Sequence, residues 1–138
     1  MSHTCKALVF RCMDFRITLT KLATMLQGIG YSEGTYDIVS VAGSAKDCLS
    51  ASPEEVSYLF KQIELSSRLH CVSEVVILLH DNCGAYGIAD AHQEHETETS
   101  DLDKIVNLIN QKFPQLKVKA YIIQGTATGL FHLELCKY

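Results

Sequence analysis

The chain contains few residues that break regular structure and no excess of basic charge. Only 2 of its 138 residues are proline and 8 are glycine, which excludes collagen-like and Pro/Gly-rich proteins. Hydrophobic residues make up 47% of the chain, and this content argues against intrinsic disorder. The formal net charge is −4 and the 12 Lys and Arg residues are scattered, so we expect no nucleic-acid partner.

Long hydrophobic runs are also missing. The longest strongly apolar run, residues 75–79, is far shorter than the roughly 20 residues of a membrane-spanning helix, so no membrane partner is expected. The first residues lack the hydrophobic stretch of a signal peptide. We therefore expect one globular domain over residues 1–138, located in the cytoplasm.

The cysteines do not form a pattern typical of disulfide or zinc-ribbon proteins. Six cysteines are present, and no two of them make a Cys-x-x-Cys motif. In a reducing compartment cysteines serve more often as core residues, metal ligands or nucleophiles than as disulfides. We expect core or incidental thiols at four of these positions: Cys5, Cys48, Cys71 and Cys136.

The hydrophobic pattern predicts an α/β fold. Apolar runs predict strands at residues 6–11, 36–41, 74–79, 118–123 and 130–136. Helical periodicity predicts three helices, one at residues 17–29, a second opened by a capping box at residues 52–55, and a third after Ser100 that ends at Pro114. The order β-α-β-α-β-α-β-β favours a mostly parallel central sheet of four to five strands, flanked by helices, with the last strand antiparallel.

An acidic segment interrupts this pattern. Residues 90–103 contain six acidic residues and no basic ones, which predicts an exposed connection or a frayed helix with high mobility. His92 and His95 lie in this segment, but the glutamate of a zincin motif does not accompany them. We assign no metal site to this pair, and no partner to His3, His70 or His132.

Two loops that follow predicted strands carry the residues with distinctive chemistry. Cys12 follows the first strand, and His80 and Cys83 follow the third. Since neighbouring parallel strands end at the same edge of a sheet, two thiols and one imidazole should converge there. Two cysteines and a histidine form a ligand set for Zn²⁺ that leaves a fourth tetrahedral position, and two thiolates offset the charge of the ion.

Asp14 and Arg16 decide what occupies that fourth position. If the Asp14 carboxylate binds the metal, the site is closed and the protein is a non-catalytic zinc protein. If Asp14 pairs with Arg16 instead, a water molecule can enter and the metal can lower its pKa. A metal-free thiol enzyme that uses Cys12 or Cys83 is a third hypothesis. A cysteine phosphatase is not supported, because too few residues separate Cys12 from Arg16 to wrap a phosphate.

Together these two loops resemble the hallmark motifs of a known family. Cys12-x-Asp14-x-Arg16 after the first strand and His80-x-x-Cys83 after the third are similar to those of the β-class carbonic anhydrases. The resemblance extends over most of the chain and includes Ala42-Gly43, Gly84-Ala85, residues 120–123 and residues 128–130. The sequence differs from the family pattern at Phe15, Ser40 and Val41.

This resemblance implies a function and a set of roles. It implies Zn²⁺ held by Cys12, His80 and Cys83, a catalytic pair of Asp14 and Arg16, and a homodimer. The implied reaction is the reversible hydration of CO₂ to bicarbonate by a zinc-bound hydroxide, with COS or CS₂ as alternative substrates.

Substrate contacts and proton transfer are expected from other residues. Backbone N–H groups at Gly43 and Gly84 are expected to bind the developing bicarbonate. The proton would leave through buffer or a mobile histidine such as His92.

Overall fold

The computed structural model describes residues 3–137. The elements in chain order are β1 (Ala7–Cys12), α1 (Leu19–Gly28), β2 (Tyr36–Val41), a 3₁₀ turn (Lys46–Leu49), α2 (Pro53–His70), β3 (Glu74–His80), α3 (Ala91–Lys112), β4 (Lys117–Gln124) and β5 (His132–Lys137). All five predicted strands are present. The 3₁₀ turn was not predicted.

The strands form one sheet in the order β2-β1-β3-β4-β5. Strand β1 pairs in parallel with both β2 and β3, β3 pairs in parallel with β4, and β5 is antiparallel to β4. The predicted α/β architecture is confirmed, including the direction of the last strand. Because β1 and β3 are neighbours, the loops after them lie side by side at the carboxyl edge of the sheet.

Both faces of the sheet are covered. Leu8 and Phe10 of β1 belong to the larger hydrophobic cluster, which includes residues from α2 and α3. Ala7 and Val9 belong to the cluster on the other face, which contains Leu22 of α1. This alternation is the period of two expected of a strand, and burial on both sides explains the apolar runs at residues 7–10 of β1 and 75–79 of β3.

Helix α2 begins where the sequence predicts, but its capping box is not formed. Ser52 is the N-cap, and its side chain makes no capping hydrogen bond to the helix backbone. The Ser52 hydroxyl instead donates to Glu54, and Glu55 accepts from the Ser50 hydroxyl at 3.1 Å. The Ser50 hydroxyl also accepts from Ser52 N at 3.0 Å, so Ser50 takes the place that Glu55 would have in a capping box.

The acidic segment is part of a helix and not an exposed connection, so the predicted start of the third helix after Ser100 is wrong, while the predicted mobility stays a prediction. Helix α3 begins at Ala91, and the carboxylate of Asp90 accepts a hydrogen bond from Gln93 N at 2.8 Å as the N-cap. Glu94 and Glu98 are 4% and 1% exposed. Glu94 and Glu98 lie eight and four residues before Leu102, on the same buried face of the helix. Hydrophobic periodicity does not detect this part of the face, because two of its residues are acids.

No helix within residues 3–137 is both long enough and apolar enough to cross a membrane.

Candidate metal centre

The structure brings the three predicted ligands together. One donor atom from each of Cys12, His80 and Cys83 lies within 4.8 Å of the other two. Cys12 is the last residue of β1, His80 is the last residue of β3, and Cys83 lies in the loop that follows. The three residues are 6%, 1% and 4% exposed.

The imidazole of His80 is oriented by hydrogen bonds at its Nδ1 atom. Nδ1 lies 2.7 Å from the carbonyl oxygen of Asp81 and 3.2 Å from the hydroxyl of Thr126. A carbonyl can only accept, so Nδ1 carries the proton and Nε2 presents its lone pair. Nε2 is buried and has no hydrogen-bond partner. A nitrogen lone pair buried beside two thiols fits a metal ion of the zinc type.

The electrostatics of the thiols point the same way. A hydrogen bond from Cys83 lowers the pKa of Cys12 to about 3, assisted by His80 and by Gly43 N–H, which lies 3.4 Å from the sulfur. The pKa of Cys83 is raised, because it shares its proton with Cys12 and is buried. Burial lowers the pKa of His80, but contacts with Cys12, Asp81 and Asp14 together raise it by more, so the net shift is upward. The proton that Cys83 shares with Cys12 is one that a divalent cation would displace on binding.

Asp14 is held away from the imidazole by Arg16. Its Oδ1 accepts hydrogen bonds from Arg16 N at 2.9 Å and Arg16 Nε at 3.0 Å, and its Oδ2 accepts from Arg16 Nη2 at 2.7 Å. These bonds lower the pKa of Asp14 to about 2. Asp14 Oδ2 lies 3.8 Å from His80 Nε2, beyond hydrogen-bond distance. The carboxylate is thus ionised and positioned at the edge of the three donors.

Arg16 joins the two loops. Its Nη1 donates to Asn82 Oδ1 at 2.7 Å and its Nη2 donates to the Asn82 carbonyl at 2.9 Å. Asn82 adopts a left-handed conformation with φ of 53°, which an asparagine tolerates better than most residues. The sequence motifs placed Arg16 beside Asp14 but gave no indication of this contact with the second loop.

Two further charged residues brace the loops, and sequence reasoning missed both. Arg11 is 4% exposed and donates to the carbonyl oxygens of Asp14 and Ile17 at 3.1 and 3.0 Å. Glu94 accepts from the backbone N–H groups of Asn82 and Cys83 at 2.7 and 2.9 Å. The only sequence indication was the position of Glu94 four residues before Glu98 and eight before Leu102, on the buried side of a helix.

A cavity of about 540 Å³ opens beside the metal centre. Its lining includes Asp14, Arg16, Cys83, Gly84 and Ile88. A Cβ added at Gly84 would meet nothing within 4 Å, so this residue borders open space. Phe15 also lines the cavity and is 88% exposed.

Gly43 contacts the Cys12 sulfur and does not line this cavity. Its φ is +75°, and an added Cβ would approach Ala85 Cβ to 3.2 Å, so glycine is required for both backbone conformation and space. Its N–H is directed at the Cys12 sulfur rather than at the cavity. The substrate contacts assigned to Gly43 and Gly84 stay predictions.

The two histidines of the acidic segment, His92 and His95, contact other residues than the three candidate metal ligands. His92 Nε2 lies 3.2 Å from Glu96 on the exposed face of α3. His95 Nε2 lies 2.8 Å from Glu134 of β5. Neither belongs to the cluster of donors at Cys12.

Glu98 is a buried acid without a partner. Neither of its carboxyl oxygens has a hydrogen-bond partner. Burial, followed by the charges of Glu94 and Asp81, raises the pKa of Glu98 from 4.5 to about 9. The side chain therefore carries a proton in the folded protein at neutral pH.

The variant Glu98→Gln should be more stable than the wild type above neutral pH. Between pH 4.5 and 9 the folded state holds a proton that the unfolded state has lost, so the free energy of unfolding falls as pH rises through this window. Glutamine does not titrate and therefore avoids that loss. We expect its free energy of unfolding to exceed that of the wild type by at least about 2 kcal/mol at pH 8 and by little at pH 4.5. Urea unfolding followed by circular dichroism measures both values. Glu64→Gln on the exposed face of α2 is the control, and an equal gain at both pH values would contradict the assignment.

Comparisons with known proteins identify the family of this chain. A family model described as "Putative carbonic anhydrase" matches residues 2–128. An uncharacterized protein of Rickettsia conorii is 29% identical over 127 residues, a match that covers 84% of this chain and 66% of the relative. An uncharacterized protein of Rickettsia bellii is 29% identical over 127 residues, covering 84% of this chain and 74% of the relative. The chain thus spans just under two thirds of the length of the first of these relatives.

Solved carbonic anhydrases share the fold. The carbonic anhydrase from Glaciozyma antarctica superposes with a TM-score of 0.61 at 15% identity, covering 96% of this chain and 83% of that one. β-Carbonic anhydrase isoform I from Trichomonas vaginalis gives a TM-score of 0.56 at 17% identity, covering 99% and 86%. At these identities the likeness concerns the fold alone, whereas the family model covers most of the sequence. This chain belongs to the carbonic anhydrase family that the model describes, as a divergent member with a β-class-like fold.

Proposed function

We propose that this protein is a zinc-dependent carbonic anhydrase that catalyses the reversible hydration of CO₂ to bicarbonate. The observation that carries the proposal is the buried group of Cys12, His80 and Cys83, in which His80 Nε2 has no partner within the protein. Asp14 lies at the edge of this group and forms an ion pair with Arg16. A cavity opens beside Asp14 and Cys83.

Cys12, His80 and Cys83 would hold the zinc ion. When bound there, zinc would supply a water molecule of lowered pKa as the nucleophile. Glu94 fixes the backbone of Cys83, and Asp81 O fixes the tautomer of His80, so both ligands are oriented before any ion arrives. Gly43 N–H donates to Cys12 and withdraws some charge from that sulfur.

Asp14 would accept a hydrogen bond from the nucleophile and set its direction. Its Oδ2 is the carboxylate oxygen nearest His80, while three hydrogen bonds from Arg16 prevent the side chain from turning freely. Because its pKa is about 2, Asp14 stays an acceptor at every pH at which the enzyme would work. Its engagement with Arg16 supports a site whose fourth position is open, rather than one closed by the carboxylate.

The cavity fits a small, neutral substrate that becomes an anion. Ile88, Ala89 and Phe15 provide apolar surface for CO₂, and Arg16 supplies positive charge at the same wall for bicarbonate. Gly84 leaves that wall free of a side chain. We keep the backbone N–H group at Gly84 as a proposed substrate contact, whereas the N–H group at Gly43 donates to the Cys12 sulfur instead.

We further propose that the protein acts as a homodimer in the cytoplasm. Met13 and Phe15 lie in the loop after β1 and are 62% and 88% exposed. Apolar side chains as exposed as these are commonly covered by a second chain. The similar structures from Sordaria macrospora are described as tetrameric β-carbonic anhydrases. All six cysteines are free, as suits a reducing compartment. Light scattering in solution would measure the assembly.

Stopped-flow hydration of CO₂ tests the proposed activity. Protein loaded with zinc and assayed from neutral to mildly alkaline pH should accelerate hydration above the buffer rate, and chelation should remove the gain until zinc is restored. Elemental analysis of the same sample establishes that the metal is present. Fully loaded protein with no rate above buffer at any of these pH values would refute the enzyme and favour the non-catalytic zinc protein.

A further inference from the structure

A second group of metal-ligating side chains lies at the opposite end of the sheet. Cys5 precedes β1, Asp37 is the second residue of β2, and His70 is the last residue of α2. Strands β1 and β2 are parallel with Leu8 opposite Asp37, so their amino ends meet here. The length of β1, roughly 17 Å, separates this end from Cys12.

The donor atoms converge as closely as those of the candidate metal centre. One donor atom from each of Cys5, Asp37 and His70 lies within 4.8 Å of the other two. His70 Nδ1 and Asp37 Oδ2 are 2.7 Å apart. All three residues are half-buried, so an ion could reach them from solvent.

The scaffold holds these side chains in place. Cys5 N donates to the His70 carbonyl at 3.0 Å, which fixes the segment before β1 against the end of α2. Ser66, 6% exposed, donates its hydroxyl to Asp37 Oδ2 at 2.7 Å. A buried hydroxyl that orients a ligating carboxylate is typical of the residues that surround metal ligands.

The chemistry of the donor atoms favours Zn²⁺ over Mg²⁺ and Ca²⁺. A thiolate and an imidazole select Zn²⁺ rather than Mg²⁺ or Ca²⁺, which prefer oxygen, and the thiolate and carboxylate together balance its charge. We propose that Cys5, Asp37 and His70 form a second zinc site that ties the segment before β1 to β2 and α2.

His3 is the candidate for the fourth ligand. Its ring centroid lies 5.2 Å from that of His70, and the two rings meet edge to face. His3 is exposed and can turn towards the ion. A cleft of about 290 Å³, lined in part by Asp37, Ser66 and His70, gives access from the other side.

Zinc titration of the metal-free full chain, with a chromophoric chelator as competitor, tests the proposal. The wild type should bind two equivalents of Zn²⁺. Cys5→Ser and His70→Gln should each weaken one equivalent by at least about 10–100-fold and leave the other unchanged. His3→Gln should weaken the same equivalent less. Cys71→Ser, which changes an exposed cysteine next to His70, should still bind two.

The result separates this site from the candidate metal centre. Cys12→Ala should lose the other equivalent, so failure of the proposed function would leave the second site detectable. Co²⁺ in place of Zn²⁺ gives a thiolate charge-transfer band, and the share of that band from the second site should vanish in Cys5→Ser. Zinc binding whose stoichiometry and affinities are unchanged in both Cys5→Ser and His70→Gln would overturn the proposal, whether the wild type binds one equivalent or two.

Discussion

Replacing Cys12 with alanine is expected to abolish CO₂ hydration and to weaken zinc binding at the candidate metal centre by more than about 100-fold. Loss of a residue that merely orients a ligand costs about 10–100-fold in metal affinity, and Cys12 is itself a donor. The change also removes the acceptor of Gly43 N–H and the partner of the Cys83 thiol. Competition against a chelator measures the affinity, and stopped-flow hydration measures the rate.

The matched control for this variant is Cys48→Ala. Cys48 is 3% exposed and packs in the larger hydrophobic cluster, so the same atoms are deleted at similar burial but outside the donor group. It should keep full zinc binding and full activity. Measuring both variants in a His70→Gln background removes any contribution from the second site. A Cys12→Ala protein that is folded by circular dichroism and retains the wild-type rate would show that Cys12 is not a ligand.

The convergence of the three candidate metal ligands could be predicted because they follow two strands that are neighbours in the sheet. Cys12 and His80 each end a buried apolar run, and the topology of parallel strands brings such ends together. The spacing of Cys12, Asp14 and Arg16 placed the carboxylate and guanidinium within reach of each other. These inferences need only local spacing and the rule that parallel strands end at the same edge of a sheet.

The supporting residues could not be predicted in this way. Glu94 and Glu98 occupy buried helix positions, but an acid inside a helix stripe looks like solvent-facing charge until its partners are known. Arg11 lies within a buried strand and binds loop carbonyls several residues away. Such roles depend on which backbone groups lack partners in the folded chain, and sequence periodicity carries no information about them.

The second cluster was missed for a related reason. Cys5, Asp37 and His70 are separated by more than thirty residues at each step, and no motif links them. They meet because β1, β2 and the end of α2 come together at the amino edge of the sheet, whereas reactive residues are sought at the carboxyl edge. Tertiary contact alone distinguishes this cluster from three isolated polar residues.

Asp14→Asn is expected to lower the rate of CO₂ hydration by about 10²–10⁴-fold while zinc binding stays near the wild-type value. An asparagine has one acceptor oxygen where Asp14 has two. Its amide N–H groups would face the N–H groups of Arg16, so the asparagine side chain must rotate or lose its hydrogen bonds to Arg16. Arg16→Lys, which keeps the charge but not the paired geometry or both contacts to Asn82, should give a smaller loss. Asp103→Asn, which breaks an exposed ion pair with Lys137, is the control and should not change the rate.

The same variant separates the open site from the closed one. If Asp14 were the fourth zinc ligand, its replacement by asparagine would weaken zinc binding and would free a coordination position, so the rate would be unchanged or higher. If Asp14 instead orients the nucleophile, zinc stays bound and the rate falls. The carboxylate has a pKa of about 2, so neither result can be produced by its titration in the assay range. A fall in rate with full zinc content therefore identifies Asp14 as a group that acts on the reacting atoms rather than on the metal.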